Sequence, residues 1–336
     1  VDTSERAGIA AAVAAAFDLG AVLGPLRSVP GGRSHLLWQL RTDTGVWAVK
    51  QLNRSREPWW LADHLAAAGV EEAAFRAGVA MPRPVPPLRP ADGMLADLPI
   101  GGSLVSFLVH EWCAGQPLAD VGVPAAVADW AGATLATLHT LPATGGNTYP
   151  VHPVTDWAAW LRDAADDAGF LAAVRDYLPD VARAVEIVRS AVATPGSRTA
   201  VSSHRDVKPD NVLLTPTTPV LVDWDGAGPE VAEWEVTRAA LAFSRTGTGW
   251  DAAQFGRTLD AYRAAGGRPV PADETAFAGL FRTQLGGAAW LLWRALGHRP
   301  VSPAERSAAH GHALETLADM RSSLSRLSTW TRWLAS

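Results

Sequence analysis

A single cysteine, Cys113, is all the thiol chemistry in these 336 residues. One cysteine cannot close a disulfide within the chain, and this one has no partners at metal-ligand or triad spacing. No apolar run approaches the roughly 20 residues that a membrane-spanning helix needs. There is no dense Lys/Arg run, and the formal net charge is −5, which argues against a nucleic-acid partner. Internal repeats and low-complexity tails are also missing. These absences predict a cytoplasmic globular protein with neither a membrane nor a nucleic-acid partner. Residues 7–17, AGIAAAVAAAF, are the one stretch with the length of a signal segment. Acids flank the run (Asp2, Glu5 and Asp18), so it reads as an Ala-rich helix capped by Thr3 or Ser4.

What is present suffices for a large core. Hydrophobic residues make up 48% of the chain, enough for one large domain or two lobes. The richest stretch is 201–228, VSSHRDVKPDNVLLTPTTPVLVDWDGAG. Two short apolar runs, 212–214 and 220–222, flank the turn sequence Thr215-Pro216-Thr217-Thr218-Pro219 and predict a hairpin. His204, Arg205, Asp206 and Asn211 precede its first strand, and Asp223 and Asp225 follow its second. A hairpin brings both polar groups to one edge.

Phosphoryl transfer from ATP needs such a set. One carboxylate orients the acceptor hydroxyl and takes its proton; an amide oxygen and a second carboxylate hold the Mg²⁺ ions that bridge the phosphates. Asp206 fits the first role as catalytic residue, and Asn211 and Asp223 fit the metal roles. Asn211 lies five residues after Asp206, and Asp223 twelve after Asn211. The spacing is that of H-R-D-x-x-x-x-N followed by an Asp in the D-F-G position.

With Ser203-His204-Arg205-Asp206, Asn211-Val212-Leu213 and Val222-Asp223-Trp224-Asp225-x-Ala227-Gly228, the chain resembles the aminoglycoside phosphotransferase family of small-molecule kinases. The recognisable motifs span about residues 20–245. The resemblance implies an α+β, bilobal protein-kinase-like fold. Residues 1–110 would form a small lobe with an antiparallel sheet, 111–115 a hinge, and 116–336 a large, mostly helical lobe. It also implies ATP, or alternatively GTP, as the donor. Arg205 stands where the family usually has glycine, so the loop is locally closer to that of protein kinases.

Upstream, 36–40 and 46–49 flank Thr42-Asp43-Thr44-Gly45 and predict a strand-turn-strand unit. Before it, Pro30-Gly31-Gly32-Arg33-Ser34-His35 offers glycines that let backbone N–H groups approach phosphates. Gly31, Gly32 and Ser34 are the candidate phosphate contacts, although the loop is not G-x-G-x-x-G. Lys50 ends Trp47-Ala48-Val49-Lys50, which resembles V-A-I-K, whose lysine pairs with the α/β-phosphates and a helix glutamate. The resemblance points to Glu71, rather than Glu72, as that glutamate, with Glu57 available only in another register. It also places adenine against the Glu111 carbonyl and the Cys113 N–H of the hinge. Lys208, two residues past Asp206, is placed to neutralise charge on the γ-phosphate.

Downstream, helical spacing predicts helices near 127–138, 155–168, 171–193, 251–265, 273–297 and 303–334. His139 reads as structural, and Glu235 resembles the family's acid that props the catalytic loop. Phe277, Phe281, Trp290 and Trp293 read as core aromatics. The two helices before the catalytic loop carry seven acids against four arginines, whereas 251–336 carries ten arginines against seven acids. That balance shifts the expected acceptor from a polycationic aminoglycoside towards a nucleoside-type antibiotic such as a capuramycin. Amino sugars and choline-like alcohols are the metabolite alternatives. Gly228-Pro229-Glu230 begins only five residues after Asp223, too soon for the activation segment a Ser/Thr protein kinase needs. A nucleotide-binding pseudokinase is disfavoured because no catalytic residue is lost.

Overall fold

The computed structural model describes residues 3–30, 35–52, 58–91, 93–142, 154–163, 168–193, 200–297 and 302–335. In chain order the first half contains α1 (Thr3–Phe17), β1 (Arg27–Val29), β2 (Leu36–Arg41), β3 (Val46–Gln51), α2 (Pro58–Arg76), β4 (Pro84–Val85), β5 (Ala96–Ile100), β6 (Ser103–Glu111) and β7 (Gln116–Pro117). There follow α3 (Ala125–Leu138), α4 (Val154–Asp163), α5 (Ala168–Asp176), α6 (Leu178–Ala193), β8 (Ala200–Ser203), β9 (Val212–Leu214), β10 (Pro219–Leu221) and β11 (Gly228–Val231). The chain finishes with α7 (Ala232–Phe243), α8 (Ala252–Ala264), α9 (Ala278–Ala295) and α10 (Pro303–Leu334). The fold is mixed α+β, as the motifs imply.

Contacts divide the chain into two compact units. The first comprises Val1–Val123, Thr140–Gly146 and Ser202–Gly228, so the β9–β10 hairpin groups with the N-terminal sheet. That sheet runs β1-β2-β3-β6-β4, with β5 also paired to β6, and every pairing is antiparallel. Alternation sorts its two faces. Trp38, Leu40, Trp47 and Val49 turn to one side and pack with Val13 and Phe17 of α1. Lys50 and Leu52 turn to the other. There Leu52, Leu95 and Leu108 form a smaller core with Trp60 and Leu61 of α2. One lysine is thereby carried into an apolar layer, opposite Leu108 of β6.

The expected hairpin forms from β9 and β10, its second strand one residue earlier than 220–222, with Val212 facing Leu221 and Leu214 facing Pro219. Thr215 closes its turn: the hydroxyl accepts the N–H groups of Thr217 and Thr218 and donates to the Thr218 carbonyl.

The second unit is Pro124–His139, Asn147–Val201 and Pro229–Ser336, and its described residues are mostly helical. Helices α3 and α8 pack closely because Gly132 lacks a side chain; a Cβ there would stand 2.2 Å from the Thr258 carbonyl oxygen. Phe255, Phe277, Phe281 and Trp330 are all buried in this unit. Helix α10 begins with a capping box between Ser302 and Glu305 and with Pro303 in its first turn, as expected for such a start. Two expected helices are broken. The one predicted over 171–193 is split between Asp176 and Leu178, where Pro179 has no N–H to continue the ladder and its ring would meet the preceding turn. The helix predicted from residue 273 opens as a tight turn, Glu274–Phe277, with Asp273 accepting the Thr275 N–H.

Candidate active site

The site in the first unit is built from strand β3, helix α2 and the two loops at the open end of the β9–β10 hairpin. His204 is the post that joins those loops. It is fully buried. Its Nε2–H donates to the Val222 carbonyl at 3.0 Å, and its Nδ1 accepts the Asp206 N–H at 3.3 Å. Its ring also meets Trp224 edge to face. The loop carrying Asp206 is thus fixed to the strand end carrying Asp223.

Asn211 reinforces this. Its Nδ2 donates to both the backbone carbonyl and the Oδ2 of Asp206, each at 2.9 Å. That use of the amide nitrogen leaves the amide oxygen for a cation. Lys208 Nζ lies 2.8 Å from the same Asp206 Oδ2, and both side chains are substantially exposed.

Asp223 adopts the left-handed conformation, φ 68°, as does Arg205, φ 64°. Such a backbone costs on the order of 1–2 kcal/mol for a residue with a side chain. Strain of this kind clusters where side chains must be aimed. The half-exposed Asp223 carboxylate meets Lys50 Nζ at 2.7 Å, and Asp225 meets the same nitrogen at 2.8 Å. His35 Nε2 stands 3.4 Å from Asp225. Burial opposes the Lys50 charge, yet the two carboxylates more than offset it and hold the ammonium well above its ordinary range. Burial likewise pushes the Asp223 carboxyl up, but Lys50, first by charge and then by hydrogen bond, brings it below the ordinary value. His35 is lowered by burial, against the opposing pull of Asp225.

One expected contact has another outcome. Glu71 sits on α2, but its Oε1 is 2.8 Å from His110 Nε2. Lys50 therefore takes its carboxylates from 223 and 225. Glu71 thus reaches β6, the strand that carries His110. Glu111 ends β6, and its side chain pairs with Arg83 at 2.6 Å. Cys113 follows between β6 and β7, and its N–H donates no hydrogen bond among the described residues. Its half-buried thiol is pushed up by burial. Gly31, Gly32 and Ser34 lie outside the described residues, as does Glu57.

In the second unit His139 bridges Tyr262 at 2.8 Å and Glu235 at 3.1 Å, all buried. This is the structural role expected of the histidine, and it gives Glu235 a partner the sequence did not reveal. Phe277 and Phe281 are core residues, whereas Trp290 is 39% exposed.

Among the described residues no cluster of three or more His, Cys, Asp or Glu forms a metal cage. The donor set nevertheless fits Mg²⁺. That ion is commonly held by one or two protein oxygens together with phosphates and water, and Asn211 Oδ1 and the Asp223 carboxylate supply them. One compositional signal escaped the motif search. The chain has only two lysines, Lys50 and Lys208, against 27 arginines. Both lie in this site, where a compact ammonium differs most from a planar guanidinium.

Residues 25–272 match the model of the phosphotransferase enzyme family. No curated protein matches the chain. Among solved structures, spectinomycin phosphotransferase APH(9)-Ia, solved with ADP and spectinomycin, is similar in fold. It has 12% identity and a TM-score of 0.65, with 96% of this chain and 99% of that one covered. A choline/ethanolamine kinase family protein from Mesorhizobium loti has 22% identity and a TM-score of 0.62, over 97% and 98% of the two chains. The amicoumacin kinase hAmiN, solved with AMP-PNP, Ca²⁺ and Ami, has 13% identity and a TM-score of 0.61, over 93% and 92%. At these identities the likeness establishes the fold.

Proposed function

The chain belongs to the phosphotransferase enzyme family, and from that premise we propose that it transfers the γ-phosphoryl group of Mg-ATP to a hydroxyl of a small molecule. The observation that carries this reading is the joining of Asp206 to Asn211 and of Lys50 to Asp223 within one unit. GTP remains the alternative donor. Residues 1–110 serve as the nucleotide lobe, 111–115 as the hinge meeting adenine through Glu111 and Cys113, and 116–336 as the acceptor lobe.

Bound Mg-ATP supplies the activated phosphoryl group and the charge that offsets its oxygens. The protein's residues do the rest. Asp206, aimed by Asn211 and by its own N–H to His204, accepts the proton of the acceptor hydroxyl. Asn211 Oδ1 and Asp223 would hold the cation. Lys50 leaves its two carboxylates to bind the phosphates. Lys208, now 2.8 Å from Asp206 Oδ2, would steady the transferred group. Catalysis comes from position and preset charge.

The acceptor is best read as neutral or weakly charged, an antibiotic of nucleoside type before an aminoglycoside. Three acids on α5–α6, candidates for a cation-binding wall, are already paired with arginines. Asp176 and Asp180 pair with Arg321, and Glu186 pairs with Arg183. A choline-like or amino-sugar acceptor is the second reading, favoured by the tilted Trp290–Trp293 pair at 5.7 Å, since such rings attract ammonium groups. A protein substrate is disfavoured: after Asp223 come one tight turn (Trp224–Gly226), strand β11 and then α7, with no peptide platform between. The test is ADP release with Mg-ATP and a panel of nucleoside antibiotics, aminoglycosides, macrolides, amino sugars, choline and a generic protein. Release with one small-molecule class supports the reading and names the acceptor; release with protein alone contradicts it.

A further inference from the structure

His64 on α2 is 8% exposed, and its Nε2 is buried without a hydrogen-bond partner among the described residues. Trp60, one turn earlier, stacks on the ring at 5.3 Å with the planes 5° apart, which fixes its orientation. A buried polar atom left unpaired is costly, and native proteins rarely keep one without a use.

The surroundings suggest the use. Helix α2 packs against the turn Trp224–Gly226 that carries Asp225. Burial lowers the His64 pKa, while Asp225 and then Glu71 raise it, and His35 and Lys50 lower it. The imidazole therefore lies within the field of both the carboxylate and the ammonium of the nucleotide site. Glu71, the other acid acting on the ring, is already held by His110. Asp225 is held by Lys50, with His35 at longer range. When Lys50 turns to phosphates, Asp225 loses its strongest partner and becomes a partly buried anion in need of a donor.

We propose that His64 is a positioning residue whose Nε2–H takes over the Asp225 carboxylate as Lys50 leaves it for the nucleotide phosphates. This rests on the Mg-nucleotide reading above. Helix α2 would then be tied to the nucleotide site by an imidazole–carboxylate hydrogen bond, and Lys50 would be freed without stranding Asp225. The ring can offer Nε2–H whether neutral or protonated, so the exchange needs no change of charge on His64.

The test uses the full chain with ¹⁵N-labelled histidine, Mg²⁺ and a non-hydrolysable ATP analogue. The His64 Nε2 resonance, assigned by its loss in His64→Gln, is expected to move on saturation with the analogue and to stay in place in Asp225→Asn. Calorimetry of His64→Leu is expected to show affinity for the Mg-analogue roughly tenfold weaker, as for a lost hydrogen bond to a charged group. His64→Gln, which keeps a donor, should recover most of it. Thermal stability of His64→Leu should be at or above wild type, because an unpaired buried nitrogen is gone; a role in packing alone would lower it and leave affinity intact. A resonance unmoved at saturation overturns the proposal, as does wild-type affinity in His64→Leu. An equal movement in Asp225→Asn assigns the ring to the nucleotide itself and overturns it too. If the wild-type chain binds no Mg-analogue, the phosphotransferase site fails and this proposal falls with it; binding with a silent His64 removes this proposal alone.

Discussion

The guanidinium of Arg205 lies against Gly228: a Cβ added at that glycine would stand 1.6 Å from Arg205 Nη2. Arg205 is buried, and its Nη2 approaches the Ala227 carbonyl at 3.5 Å. Arginine at 205 and glycine at 228 therefore come as a pair, one filling the space the other leaves. The contact ties the loop before Asp206 to the end of the segment carrying Asp223 and Asp225. Gly228→Ala is expected to cost about 1–3 kcal/mol by overpacking. In an Arg205→Ala background the added methyl has room, and the further cost should fall well below that. Denaturant unfolding of the four proteins measures the coupling. Additive costs would contradict the pairing.

Glu71 holds His110 rather than Lys50, which separates two outcomes. Glu71→Ala should lower stability by about 1–3 kcal/mol, the penalty for stranding a half-buried polar partner. Nucleotide affinity should stay at the wild-type level. A large loss of affinity with stability unchanged would mean that Glu71 reaches Lys50 after all.

Cys113 offers a chemical probe of the proposed hinge. Burial raises its thiol pKa, so less thiolate is present at neutral pH. Alkylation by iodoacetamide at pH 7.5 should be slower than that of a free thiol in solution. Saturating Mg-ATP should slow it further if adenine sits against this strand. Equal rates with and without nucleotide would remove Cys113 from the adenine site.

Glu233 in α7 is largely buried, and burial raises its carboxyl pKa against the opposing pull of its own backbone and Arg268. The sign of the pH effect follows from linkage. The folded state holds the proton more tightly, so the contribution is fully present below the ordinary carboxylate pKa and is lost as pH rises through the folded value. Glu233→Gln cannot ionise. Its melting temperature should match wild type near pH 4 and exceed it at pH 7. A difference that shrinks as pH rises would contradict this.

The catalytic hairpin was legible because its strands, turn and polar ends are local. Val212–Leu214 and Pro219–Leu221 follow from a few adjacent side chains, and the 206–211–223 spacing from chemistry. Strand β3 and its Lys50 were legible for the same reason. The lysine's partners were not. Asp223 and Asp225 lie 173 and 175 residues away, and sequence proximity carries no trace of that pairing. Resemblance points to Glu71, but its partner His110 lies 39 residues away on β6, and local pattern does not report that pairing. His64 escaped notice because a lone histidine on an apolar helix face looks like core. The break between α5 and α6 was foreshadowed by Pro179 and hidden by the apolar periodicity on both sides of it.

The central claim is that Asp206 acts on the acceptor proton and not on the nucleotide. Its most direct test is Asp206→Asn, assayed for both turnover and Mg-ATP binding with the acceptor that drives ADP release in wild type. A fall in kcat of about 10²–10⁴ is expected, the range for loss of a general base, with nucleotide affinity unchanged. Wild-type turnover in Asp206→Asn would contradict the mechanism.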